Sequence, residues 1–263
     1  VSAVGVSHTV AVEWPRDAVA LVTFSDPERD NRLCWAAVDE LGARLAGCRE
    51  SGARVVVLAS GLAGHWLQHA WLPDLCAGLE GGELTGTGAG WFDCQAELSH
   101  PDVVSIAAIA GDSSGGGAEL GWACDLRIAE PGCMFSQPEV SMGLTTGIGG
   151  CSRLLRLAGR GPATDMVLTG DPVSARRLFE LGAVSRLAGE GEALAAALDL
   201  AERVAARSPA ALAGLKRILA DCGDSPLAEA LAGEQAVFQS VATGERALAE
   251  MKRVQAAYES GDH

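Results

Sequence analysis

Lysine is almost missing from this chain: Lys216 and Lys252 are the only two in 263 residues. Arginine brings the basic total to 20 against 34 acidic residues, for a formal net charge of −14, and the basic residues form no cluster. A protein that gripped a phosphate backbone would need a basic face, so nucleic-acid binding is argued against. A smaller anion held by a few arginines and a helix N-terminus remains compatible with this charge. Long apolar runs are missing too. None reaches the about 18 residues that a membrane span requires. Val1 to Trp14 has neither a basic start nor a sustained apolar stretch. We therefore expect no signal peptide, no membrane partner and a cytoplasmic location. The eight cysteines include no C-x-x-C pair and no histidine at finger-like spacing. They read as reduced, mostly buried small hydrophobes, with no metal site.

Hydrophobic residues make up 48% and charged residues 21% of the chain, the balance of an ordinary globule. Val10–Trp14 and Val19–Phe24 read as strands, followed by a turn-rich loop Asp26–Asn31 and an amphipathic helix from Leu33 to Cys48. Val55–Ala59, Val103–Ala110 and Leu126–Ala129 are short apolar strands of the kind buried on both faces of a sheet. Gly78–Gly90 is rich in Gly and Thr and is expected to be mobile. Trp91–Leu98, Thr146–Leu157, Ala163–Thr169 and Ser174–Leu181 read as helices. From Gly191 onward the pattern is helical, broken at Ser208-Pro209 and Ser225-Pro226, where Ser caps and Pro starts a helix. The expectation is an α/β core over residues 1–190 and a helical region over residues 191–263.

The chemistry concentrates between Ile109 and Gly150. Gly115-Gly116-Gly117 follows a strand and opens a helix expected to run from Ala118 to Cys124. Glycine admits close backbone approach, and the free N–H groups of a first helical turn form an electropositive cup. Glu119 falls in that expected first turn, and Glu139 follows Pro138 in a polar loop. Backbone donors beside two carboxylates could hold an oxyanion and move protons next to it. Other readings stay open on these residues alone. A glutamate early in a helix is favourable for dipole reasons. The glycines could cradle a phosphate, although they match neither common nucleotide motif. Gly111-Asp112-Ser113-Ser114-Gly115 fits the G-x-S-x-G nucleophile elbow, but only His263 follows it, so the required order of acid and histidine is lacking.

Several segments together carry a resemblance. Ile106–Gly111, Gly115-Gly116-Gly117-Ala118-Glu119-Leu120, Ala123–Ala129, Phe135-Ser136-Gln137-Pro138-Glu139, and Gly143–Gly150 with Arg153-Leu154 resemble the signature of the crotonase (enoyl-CoA hydratase/isomerase) superfamily. Leu168-Thr169-Gly170, Gly182-Ala183-Val184 and the first loop Pro27–Asn31 continue the match over nearly the whole chain. The resemblance implies a crotonase-like spiral of ββα units with a C-terminal helical trimerisation region, giving homotrimers or hexamers. It implies an acyl-CoA substrate whose thioester enolate is held by the backbone N–H groups of Ala70 and Gly116. Glu139 would handle the Cα proton and Glu119 would share the water. Both acids are kept, which favours an enoyl-CoA hydratase with no cofactor beyond the CoA of its substrate. The alternatives are another reaction of the superfamily (isomerisation, C–C cleavage, decarboxylation) or a non-catalytic acyl-CoA-binding member.

The second loop departs from the family's usual F-S-A-G-A-D-L. It reads Trp66-Leu67-Gln68-His69-Ala70-Trp71-Leu72, with His69 in place of glycine and Trp71 in place of aspartate. His69 is then either a surface residue, the plainer reading, or an added acid/base. Trp66 and Trp71 either line the substrate pocket or pack the core. Arg29 and Arg32 are either contacts to CoA phosphates or solvated loop charges, and the resemblance implies that Lys252 approaches CoA from a neighbouring subunit. Thr145-Thr146 replaces the usual x-Pro before Gly147 in the loop over the acyl chain.

Overall fold

Alternation of β-branched strands with amphipathic helices builds the described residues up to Val204. The computed structural model describes residues 7–222 and 224–260. A hairpin, β1 (Thr9–Arg16) and β2 (Val19–Ser25), leads through the first loop into α1 (Trp35–Glu50). Three strand–strand–helix passes follow. In the first, β3 (Val55–Ser60) and β4 (Gly64–His65) precede α2 (Leu72–Glu80) and α3 (Gly90–Leu98). In the second, β5 (Val104–Ile109) and β6 (Gly111–Ser114) precede α4 (Gly115–Ala123). In the third, β7 (Leu126–Ala129), β8 (Met134–Ser136) and a 3-10 turn at Pro138–Met142 precede α5 (Gly150–Ala158) and α6 (Arg160–Thr169). Next come β9 (Val173–Ser174), α7 (Ala175–Glu180), β10 (Arg186–Leu187) and α8 (Ala193–Ala205).

The first strand of each pass joins a six-stranded sheet of order β1-β2-β3-β5-β7-β10, and the second strand joins a four-stranded sheet of order β4-β6-β8-β9. Within the larger sheet β2, β3, β5, β7 and β10 run parallel, so each pass steps over by one strand. This is the expected spiral of ββα units. Val55 to Ala59 is buried at every position, as both faces of the sheet are covered. Phe24, Val38, Leu41, Leu98, Ile109, Leu120 and Phe135 belong to one core between the sheets and helices α1, α3 and α4.

The chain divides into two compact units, Val1–Val204 and Ala205–His263. The boundary expected at residue 190 is displaced because α8 buries Ala193, Ala197, Leu200 and Ala201 and so counts with the first unit. The second unit holds α9 (Pro209–Cys222), α10 (Leu227–Ala242) and α11 (Glu245–Ser260). Two of its helices begin after Pro-containing breaks, as the sequence indicates; the break at Thr243-Gly244 carried no such signal. Among the described residues no helix is long and apolar enough to cross a membrane.

Candidate functional site

Two loops and one helix start converge in the first unit. Helix α4 begins at Gly115 itself, not at Ala118, so the three glycines form its first turn. The reason is space. A Cβ on Gly116 would meet the Trp91 ring at 2.7 Å, and one on Gly117 would overlap the Leu67 carbonyl and lie 2.6 Å from Gln68 O. Gly115 sits at φ +49°. Glu119 therefore lies beyond the first turn, and the dipole explanation for it lapses.

The second loop is strapped to this helix and to the first loop. Gly117 N donates to Gln68 O at 3.0 Å, and His69 N donates to Ser114 Oγ at 3.2 Å. Leu33 N donates to His69 O at 3.0 Å and Trp71 N to Leu33 O at 2.8 Å, a parallel bridge centred on Ala70. The remaining amides of this assembly, those of Ala70 and Gly116, have no hydrogen-bond acceptor among the described residues. Both residues line a cavity of about 300 Å³ together with Glu119, Glu139, His69, Trp91 and Met142.

The two carboxylates sit in different surroundings. Glu119 is buried, and its Oε1 accepts from Ile148 N at 3.0 Å and Gly150 N at 2.6 Å. Burial raises its pKa, against the opposing pull of those amides and the Arg153 charge. Arg153 holds the same segment by donating to Ile148 O at 3.0 Å. Glu139 stands on the 3-10 turn that Pro138 starts and Gly143, at φ +71°, closes. Its Oε2 is buried without a hydrogen-bond partner among the described residues. Burial, with the nearby Glu119 charge adding to it, pushes the Glu139 carboxyl up to about 7. One acid is thus anchored by backbone donors and the other is free to exchange a proton near neutral pH.

Other expected site residues fall elsewhere. Arg29 turns inward: it is 7% exposed, its Nη1 lies 2.9 Å from Asp26 Oδ2, and its guanidinium lies over the Trp71 ring at 5.6 Å. Its charge is spent inside the first loop, so an Arg29 contact to CoA phosphate is replaced by a strut role. Trp66 is fully buried in the core and Trp71 packs against it; neither lines the cavity. Arg32 is more open, paired with Asp30 at 3.2 Å. Lys252 is exposed on α11 in the second unit. His69 is not a surface residue; it is half-buried and lines the cavity. Ser113 is buried and its Oγ donates to Leu67 O at 2.8 Å, which removes it as a nucleophile. His8, Asp26 and Cys34 come together, with ligand atoms within 4.8 Å of one another, although their spacing gives no hint of it. Asp26 already faces the Arg29 cation and His8 faces Glu40 at 3.2 Å.

A model of the enoyl-CoA hydratase/isomerase family matches residues 15–258. The chain belongs to the enoyl-CoA hydratase/isomerase family. It is 31% identical over 236 residues to a Rhizobium meliloti (strain 1021) protein named "Probable enoyl-CoA hydratase", covering 89% of this chain and 90% of that one. It is 31% identical over 240 residues to the mitochondrial enoyl-CoA hydratase of Pongo abelii, covering 88% and 79%. An enoyl-CoA hydratase subunit I structure from Geobacillus kaustophilus HTA426 superposes with a TM-score of 0.83 at 28% identity, covering 97% and 96% of the two chains.

This family member also has site residues that sequence reasoning passed over. Asn31, at φ +59° and fully buried, accepts Asp26 N at 2.7 Å and donates to Ser60 Oγ at 2.8 Å and Trp66 O at 3.0 Å. It ties the first loop to the second, and its signal was the Asp30-Asn31 pair, two residue types that tolerate left-handed backbone. Trp91, read only as a helix residue, walls the cavity against Gly116. Leu72, Leu75, Leu144 and Ile148 complete an apolar lining that periodicity could not distinguish from core.

Proposed function

We propose that this chain hydrates 2-enoyl-CoA thioesters. One observation carries the reading: two backbone amides without acceptors among the described residues, on Ala70 and Gly116, share one cavity with two carboxyls of unequal surroundings. A thioester oxygen placed between those amides gains hydrogen bonds as it becomes an enolate oxygen. Each such donor contributes about 3–4 kcal/mol to the transition state. Glu119, ionised and held by two amides, takes a proton from water as the water oxygen bonds to Cβ. The C=C electron pair moves into the enolate, and protonated Glu139 delivers its proton to Cα as the carbonyl reforms. No electrons are gained or lost overall, so the reading calls for no resident cofactor.

The same reading turns Arg32, and Lys252 from a neighbouring subunit, toward CoA phosphates, with the protein in homotrimers or hexamers in the cytoplasm. Exposed Leu219, Leu227 and Phe238 on α9 and α10 support assembly of this kind. The test is Glu139→Gln with crotonyl-CoA in deuterated water. Hydration and Cα exchange are both expected to be abolished; exchange at the wild-type rate rejects the role.

A further inference from the structure

Hydration by two carboxyls leaves one titratable side chain of the cavity unused. His69 lines it beside Glu119 and Glu139. A methyl placed on Gly115 would meet His69 Cβ at 2.8 Å and Glu139 Oε1 at 3.2 Å, so histidine and carboxylate flank the same glycine. The residue is held at both ends of its backbone, by Ser114 Oγ on its N–H and Leu33 N on its carbonyl. Its ring is held as well. Nδ1 lies 2.9 Å from Ala70 O. A carbonyl only accepts, so Nδ1 carries the proton, and in the neutral ring Nε2 is left as a lone-pair acceptor. Nε2 has no partner among the described residues.

Besides the carboxyls, the lining offers that nitrogen one side-chain donor, the Thr145 hydroxyl, and no hydrogen bond to it forms among the described residues. The rest consists mainly of apolar groups, among them Leu72, Leu75, Trp91 and Met142. At about 300 Å³ the cavity stands at the small end of ligand pockets. A short acyl chain would fill it, so a substituent near the reacting carbons would lie close to His69.

We propose that His69 is a specificity-determining residue that selects short 2-enoyl thioesters bearing a hydroxyl near the double bond, accepting the hydroxyl proton's hydrogen bond at Nε2. The inference rests on the hydratase reading above. A site with an unpartnered acceptor favours the substrate that satisfies it and disfavours the one that leaves it unpaired.

The test compares kcat/KM for crotonyl-CoA and 4-hydroxycrotonyl-CoA, which differ by one hydroxyl. The wild-type enzyme is expected to prefer the hydroxylated substrate by roughly tenfold or more. His69→Leu is expected to bring the ratio to about one, and His69→Gln, which keeps an acceptor, to retain part of the preference. A wild-type ratio of one, or a preference that survives in His69→Leu, overturns the proposal. The wild-type ratio needs no variant, so a misfolded His69→Leu does not block the test. If Glu139→Gln abolishes turnover of both substrates while the wild-type ratio is one, only the role of His69 falls. If Glu139→Gln turns over both at the wild-type rate, the hydratase reading falls with it.

Discussion

Gly117→Ala separates the two amides without touching either. A Cβ at position 117 would overlap the Leu67 carbonyl and sit 2.6 Å from Gln68 O, and both neighbours are backbone. Neither can rotate away as a side-chain tip could. The Leu67–Gln68 segment must withdraw from α4 by roughly an ångström, taking His69 and Ala70 with it and stretching the 3.0 Å bond from Gly117 N to Gln68 O. Overpacking of this kind costs about 1–3 kcal/mol of stability. The catalytic cost is larger in proportion, because losing one oxyanion donor lowers kcat by about 100-fold or more. The assay is kcat and kcat/KM on crotonyl-CoA, with thermal unfolding followed in parallel. Gly121→Ala is the control. It lies on the same helix, and its Cβ would meet only the side-chain ring of Trp66, at 3.1 Å, and no backbone atom of the second loop. The control is expected to lose stability with kcat nearly intact. A Gly117→Ala enzyme that folds and keeps wild-type kcat refutes the reasoning.

Two further outcomes follow from the ionisable groups. The reaction needs one proton shared between Glu119 and Glu139, so kcat/KM is expected to be bell-shaped in pH, with its basic limb near 7 where Glu139 ionises; a flat profile from pH 6 to 9 contradicts this. Burial alone would raise the Asp39 carboxyl, yet the amides of Gly90 and Thr87 hold it below its ordinary value. Its contribution to stability is therefore present above the unfolded-state pKa and is lost as pH falls through the depressed folded value. Asp39→Ala should speed hydrogen exchange at Thr87 and Gly90, and unchanged protection there would refute that anchoring.

The same Asp39 bonds bear on how much the sequence disclosed. Gly78–Gly90 reads as mobile by composition, but Asp74 and Asp39 fasten its backbone and side chains across long sequence separations that composition does not report. Strands such as Val55–Ser60 and helices such as α1 were legible, because burial on both faces and a 3.6-residue period leave direct marks. The start of α4 was misread because glycine disfavours helix, and only the tertiary contacts at Leu67 and Trp91 reveal why small residues stand there. Glu119 and Glu139 stand out from the residues themselves, Ala70 and Gly116 only through the family resemblance, and the fold gathers all four around one cavity. Arg29 was misplaced for an instructive reason. Charge alone suggests an outward contact, whereas the buried Asp26 that claims it is visible only once the first loop has folded.

Infrared difference spectroscopy of a bound, unreactive saturated acyl-CoA, labelled with carbon-13 at the thioester carbonyl, addresses the pair of amides most directly. Two hydrogen bonds from Ala70 and Gly116 should move the carbonyl stretch to lower frequency than in free thioester, reporting polarisation of the bond toward the enolate. A bound carbonyl that absorbs where the free thioester does would contradict the account.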